Sequence, residues 1–192
     1  MAWIRRLLCG LSVIILLLGG CPLDPSSAPE TVLGTGSASQ GNQSTSDQLA
    51  TQFPTCLETA RGDEWRDEVV RLVNLERARA GLVPVVQNQT LEDQATRYAC
   101  EMIYYDFFAH ENPFTGSHLA DRAAEFGYDY QMIGENLAAG QSTPAQVMAD
   151  WMASEGHKRN ILEPNFTELG VGVRSGGTYG TYWVQEFGRP AR

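Results

Sequence analysis

The chain has 192 residues and a formal net charge of −9, from 14 Lys and Arg against 23 Asp and Glu. An acidic chain with no basic stripe repels phosphate backbones, which excludes nucleic acid as a partner class. The length allows one domain of ordinary size beside a leader and a linker.

The leader comes first. Arg5 and Arg6 form a basic start, LLCGLSVIILLL supplies an apolar run, and Leu18-Gly19-Gly20-Cys21 follows it. The run is too short and wrongly flanked for a membrane span, so residues 1–20 read as a signal peptide. A cysteine directly after two small residues resembles the bacterial lipobox, in which that cysteine is acylated and becomes the mature N-terminus. The alternatives are an uncleaved anchor and a plain secretory signal with an incidental cysteine. On the lipobox reading Cys21 is the lipidation site, and several acyl chains on it hold the protein stably to a membrane. The expected localisation is therefore the bacterial cell envelope, extracytoplasmic and lipid-anchored. Loss of Arg5 and Arg6 takes the formal net charge to −11.

Cys9 leaves with the signal and Cys21 carries lipid, so Cys56 and Cys100 remain. Two thiols in an exported chain suggest one disulfide, with a pair of buried free thiols as the alternative. Closing a loop of about 45 residues stabilises by roughly 4 kcal/mol at best. Residues 21–55 are rich in Ser, Thr, Gly, Gln and Pro and hold few large apolar side chains. That composition reads as a disordered tether, reaching roughly 30 Å on average.

Residues 56–192 then form a single domain. Trp65, Val69, Leu72, Val73 and Leu75 follow helical spacing from about Asp63 to Ala80, and Gly81 supplies a stop. LVPVV, Leu82 to Val86, is too short and Pro-interrupted for a helix and reads as an extended connector or edge strand. Thr90 with Asp93 three residues on is expected to cap a second helix, about Leu91 to Tyr105, whose apolar stripe includes Leu91, Ala95, Ala99 and Met102. A short third helix is expected from Ser117 to Gly127, carrying an exposed His118. Thr143-Pro144-Ala145-Gln146 combines an N-cap, a first-position proline and a Gln three residues after the cap, so it opens a fourth helix, which Gly156 ends. Leu169 to Ser175 and Thr181 to Gly188 alternate around a Gly-rich turn and read as a β-hairpin. Four helices before a terminal hairpin give an α+β class, with helices packed on a small antiparallel sheet.

The polar residues with chemical potential are His110, Glu135, Glu155 and His157. His110 lies in FFAHENPFTG, where helix signals give way to loop signals, and loops are where sites are usually built. Glu135 lies in IGENLAAG, an acid in an apolar stretch; capping loop N–H groups would explain it equally well. Glu155 and His157 flank Gly156, and a solvated turn is the plain alternative there. A serine triad from Ser154, Glu155 and His157 is disfavoured, because triads are assembled across elements rather than within four residues. No GxSxG, HExxH or phosphate-loop pattern occurs. Two imidazoles and two carboxylates from separate segments suit a divalent metal such as zinc, with His110 and His157 as ligands, and equally suit acid–base chemistry.

Four segments together resemble the CAP superfamily, the cysteine-rich secretory, antigen 5 and pathogenesis-related proteins, particularly its bacterial SCP-like members. They are VVRLVNLERARAGLVPV, FFAHENPFTG with the following Asp-Arg, IGENLAAG, and WMASEGHKRNILEPNFTELGVGV with the closing YWVQEFG, in order over about Glu68 to Gly188. The resemblance implies an α-β-α sandwich around a central antiparallel sheet, with a cleft where histidines and glutamates converge. By motif, His110 matches the histidine after the second helix and Glu135 the glutamate of the Gly-Glu-Asn segment, while Glu155 is one residue off the family's helical glutamate. The family's second histidine precedes an aromatic-threonine pair. Asn165 holds that position here, and His157 is the candidate to replace it. Family members are described as binding sterols, other lipids or divalent metals, without a common activity. The function expected is an envelope-anchored binding module for a small ligand, lipid or divalent metal, with no established catalysis. A metal-assisted hydrolase using the same cleft is the alternative, and an interaction domain with a vestigial cleft is a third.

Overall fold

A computed structural model describes residues 45–191. The expected signal peptide, Cys21 and most of the expected tether lie outside these residues. The order is α1 (Thr45–Gln52), β1 (Leu57–Glu58), α2 (Gly62–Arg79), β2 (Val86–Gln87), α3 (Gln89–Tyr104), α4 (Leu119–Glu125), β3 (Tyr130–Ala139), α5 (Pro144–Ala153), α6 (Glu155–Ile161), β4 (Glu168–Gly176) and β5 (Gly180–Pro190). The strands form one sheet in the order β1-β4-β5-β3, antiparallel throughout, with β2 added in parallel to the start of β4.

Strand alternation divides this sheet into two apolar faces. Leu169, Val171, Val173, Trp183 and Phe187 point one way, into a core with Val69 and Val73 of α2, Val147, Met148 and Trp151 of α5, and Ile161 of α6. Tyr182 and Val184 point the other way, with Leu137 of β3, against Ala95, Tyr98, Ala99 and Met102 of α3 and Leu49 of α1. Helices therefore cover both faces, and the molecule is the α-β-α sandwich that the resemblance implies. Two glycines set the distance between α3 and the sheet. A Cβ on Gly170 would collide with the Leu91 carbonyl, and one on Gly172 with the Ala95 carbonyl. The Leu-Gly-Val-Gly-Val pattern is thus a strand with one face kept bare so that a helix backbone lies directly on it.

A buried cation ties the opposite layer to the chain. Arg77, fully buried in α2, donates to the carbonyls of Val83, Ile161, Glu163 and Phe166. One guanidinium so satisfies the ends of three segments that have no ladder partner for those oxygens.

Several expectations are corrected. The folded part includes Thr45–Gln52, ahead of Cys56, because Leu49 and Phe53 of the supposed tether are buried against α3. A composition average over the whole segment hides two well-placed apolar side chains. The second long helix starts at Gln89, capped by Asn88, whose Oδ1 accepts from the Leu91 N–H at 3.1 Å; Thr90 is already inside it. Thr143 does cap α5, accepting from the Gln146 N–H at 3.2 Å, but the Gln146 side chain reaches back to Ser142 rather than to the cap. Gly156 is no stop. Ser154 breaks the helix, with φ −95° and ψ 123°, and Gly156 lies inside α6. The third helix is shorter than expected, with His118 at its N-cap. The ten-residue β3, which contains the Gly-Glu-Asn segment, was not legible as a strand. Cys56 and Cys100 form the expected disulfide.

Gly172→Ala is expected to cost about 3 kcal/mol or more, at the upper end for overpacking, because the new methyl meets backbone rather than a movable side chain. Urea denaturation of both chains, compared by midpoint at constant slope, measures this.

Candidate functional site

The loop after α3 is fixed at several points before it presents His110. Asp106 takes a left-handed conformation, φ 52°, and its carboxylate accepts from the Thr178 hydroxyl at 2.6 Å, which binds the loop to the β4–β5 turn. The Tyr98 hydroxyl donates to the Ala109 carbonyl at 2.7 Å, and Arg122 Nη1 donates to the His110 carbonyl at 3.2 Å. Beyond the histidine, Asn112 accepts from the Phe114 and Thr115 N–H groups and donates to Glu101. The main chain on both sides of His110 is therefore held by side chains of α3 and α4.

Its imidazole is 62% exposed, and Nδ1 lies 2.7 Å from Glu135 Oε1. Glu135 comes from β3 with a side chain only 3% exposed, and its other oxygen accepts from Arg122 Nη2 at 2.5 Å. Arg122 of α4 is as deeply buried and its guanidinium carbon lies over the Tyr98 ring, 3.5 Å from its centroid, a cation–π contact out of water. The result is a file of side chains running from interior to surface: Tyr98, Arg122, Glu135, His110. The hydrogen bond to Glu135 raises the His110 pKa above its ordinary 6.5, with burial opposing more weakly. Because Nδ1 faces the carboxylate, Nε2 is left to meet whatever enters.

Behind β3 a second polar cluster docks α6. Asn136 donates to Gln185 and to the His157 carbonyl, and Asn160 donates to the Glu135 carbonyl at 3.1 Å and to Asn136 at 2.9 Å. Gly134 leaves room for the Phe166 ring that follows α6, which a Cβ there would meet at 2.8 Å, and for Asn160 of α6, whose Oδ1 would lie at 3.3 Å. Gly134, Glu135 and Asn136 thus have three separate tasks: close approach, the site carboxylate, and the docking of α6.

The expected site residues are only partly brought together. His110 and Glu135 share a cavity of about 390 Å³ with His118, Leu119, Ala120, Tyr130 and Ile133. His157 is half-buried on α6 and does not line that cavity; its pKa is lowered, first by burial and then by the charge of His110. Glu155 is exposed and makes no hydrogen bond or ion pair among the described residues. Sequence reasoning missed Tyr98 and did not single out Arg122, although the Asp-Arg pair was in view.

The donor set does not suit a metal ion. Both Glu135 oxygens are engaged, and among the described residues no three His, Cys, Asp or Glu side chains converge on a site that could hold one. His110 and His157 are thus not jointly supported as ligands. The pair of His110 and Glu135 does resemble the base and orienting acid of a hydrolase. Among the described residues the ring makes no hydrogen bond to a Ser, Thr or Cys that would supply the nucleophile.

Glu135→Gln is expected to lower the His110 pKa, because the dominant stabiliser of the imidazolium is removed. In the native chain the pair stabilises the fold fully below pH 6.5, the ordinary histidine value, and loses that contribution as pH rises through the raised folded value. Proton NMR titration of the His110 ring in both chains reads the shift.

Comparison with known proteins agrees with this fold. The model of the cysteine-rich secretory protein family, CAP, matches residues 70–187. YkwD of Bacillus subtilis (strain 168) is 42% identical over 123 residues, covering 64% of this chain and 46% of that protein. The membrane protein YlbC of the same organism is 32% identical over 120 residues, covering 62% and 33%. The chain thus spans less than half of either curated relative. Among solved structures, an extracellular protein containing an SCP domain from Bacillus anthracis superposes with a TM-score of 0.61 at 31% identity, covering 67% of this chain and 41% of that one. An outer surface protein of Borrelia burgdorferi, 18% identical, shares the fold with a TM-score of 0.63 over 71% of this chain and 98% of its own. These neighbours are extracellular or surface proteins, and no helix among the described residues is long and apolar enough to cross a membrane. With the family model matched over more than half of the chain's length, the chain belongs to the CAP, or cysteine-rich secretory protein, family.

Proposed function

We propose that this is a lipid-anchored, extracytoplasmic binding module whose cavity at His110 takes a small, largely apolar molecule bearing one hydrogen-bond acceptor. The observation that carries this reading is the exposed imidazole held by a buried carboxylate. The orientation of His110 is fixed from beneath, so its Nε2–H is a pre-positioned donor at the cavity surface. Leu119, Ala120, Tyr130 and Ile133 supply mostly apolar walls, and about 390 Å³ is within the ordinary range for small-molecule sites. A fatty-acid-like ligand fits this chemistry, with its head on the imidazole and its tail on the walls. The hydrolase alternative gains an orienting carboxylate from the geometry but no nucleophile.

Decanoate is a suitable probe. Calorimetry is expected to show binding that weakens as pH rises through the folded His110 pKa, because the carboxylate loses its charged donor. His110→Phe, which keeps the ring and removes the donor, should weaken binding about tenfold or more, as for a hydrogen bond to a charged group. Equal affinity for both chains would remove His110 from the proposal. Turnover of short-chain esters that depends on His110 and Glu135 would favour the hydrolase instead.

The anchor is a separate part of the proposal, supported by the Leu-Gly-Gly-Cys segment at residues 18–21. Cys21→Ser is expected to release the protein from the membrane fraction into the soluble one, as read by fractionation of expressing cells.

A further inference from the structure

The site contains a second carboxyl group that the file from Tyr98 to His110 does not use. In the register of β3 against β5, Glu135 lies directly opposite Glu186. Residues paired in this way project from the same face of the sheet, with Cβ atoms about 5 Å apart. Glu186 is also opposite Gly170, the glycine pressed against the α3 backbone, so its side chain lies under that helix. It is fully buried, and neither carboxyl oxygen has a hydrogen-bond partner among the described residues.

The groups around it leave no charge to answer a second anion. Arg122 of α4 is the cation packed there. Its Nη2 is on Glu135, its Nη1 is on the carbonyls of His110 and Ser117, and its Nε has no partner. From α3, Tyr98 faces the site with its hydroxyl already on Ala109, and Gln94, one turn earlier on the same buried face, leaves both amide atoms without partners. Glu101 of α3 is bound by Arg97 and Asn112. Glu168 of β4 is bound by Tyr128 and Asn88. His110 approaches Glu135 from the solvent side. An ionised carboxylate at position 186 would have neither hydrogen bonds nor a cation of its own, which in an interior costs several kcal/mol.

We propose that Glu186 is carried as a neutral carboxylic acid and is a positioning residue for the His110–Glu135 pair, limiting the interior to one negative charge so that Arg122 commits to Glu135 alone. Ionised, Glu186 would compete for the same guanidinium and loosen the support of His110. Burial first, and then the neighbouring charge of Glu135, push the Glu186 pKa well above its ordinary 4.5, with Arg122 opposing. The inference concerns the charge of the site and needs no ligand, so it stands or falls separately from the binding proposal.

Since Glu186 titrates higher in the folded chain, stability it contributes is fully present below pH 4.5 and is lost as pH rises toward the folded value. Relative to Glu186→Gln, the folding equilibrium constant of the native chain should fall by up to about tenfold per pH unit above 4.5. The variant should retain the raised His110 pKa, which distinguishes it from Glu135→Gln. Carbon-detected NMR of the Glu186 carboxyl in the full native chain tests the charge state without any substitution, and is expected to show the protonated form at pH 7. Titration of that carboxyl near 4.5, pH–stability curves that run parallel in the two chains, or a fall of the His110 pKa in Glu186→Gln would each overturn the proposal. Should Glu186→Gln not fold, the native-chain carboxyl titration still decides it.

Discussion

A carboxylate buried in a sheet has to be answered by positive charge from within the protein, and at Glu135 the answer is Arg122. The rest of the site follows from that pairing. Arg122 reaches Glu135 from a helix of only seven residues, α4, and packs on the Tyr98 ring of α3. Its remaining donors fix the loop that carries His110. One guanidinium thus joins the α3 layer, the sheet and the functional loop, and removing a buried partner of this kind commonly costs several kcal/mol. Stability and site geometry therefore rest on the same contact.

The two layers of the sandwich contribute differently. On the α3 side the strands give up side chains at Gly170 and Gly172, the helix backbone lies close on the sheet, and Tyr98 of that helix packs on Arg122. On the other side the sheet keeps bulky residues, and polar groups do the positioning: Asn136 and Asn160 dock α6 and Arg77 gathers four carbonyls. His157 belongs to this second layer. It feels His110 electrostatically while standing outside the cavity, which explains how two histidines expected to converge end up with different roles.

The single negative charge ascribed to the interior and the donor ascribed to His110 are two aspects of one electrostatic design. A neutral acid at Glu186 leaves Glu135 as the carboxylate for both Arg122 and His110. The imidazole is then the charged group that the protein turns toward the cavity. A protein with a net charge of −9 gains by this a local donor where its average field would repel an acceptor.

Much of this was legible in the residues themselves. Periodicity located α2, α3 and α5, because apolar spacing of 3.6 survives without any tertiary information. The alternating runs at the C-terminus gave β4 and β5, and counting the cysteines beyond the expected signal and lipidation site gave Cys56 with Cys100. The motifs carried His110 and Glu135. Other features required the fold. Strand β3 does not read as a strand because its residues answer to neighbours on both faces rather than to an alternating pattern. Phe53 and Leu49 look like tether until α3 is present to cover them. The convergence of Tyr98, Arg122, Glu135 and Glu186 spans 88 positions of chain, and only pairing of β3 with β5 makes two of them neighbours. Local spacing determines which elements form; which side chains meet is decided by register and layer packing, and these depend on contacts distant in sequence.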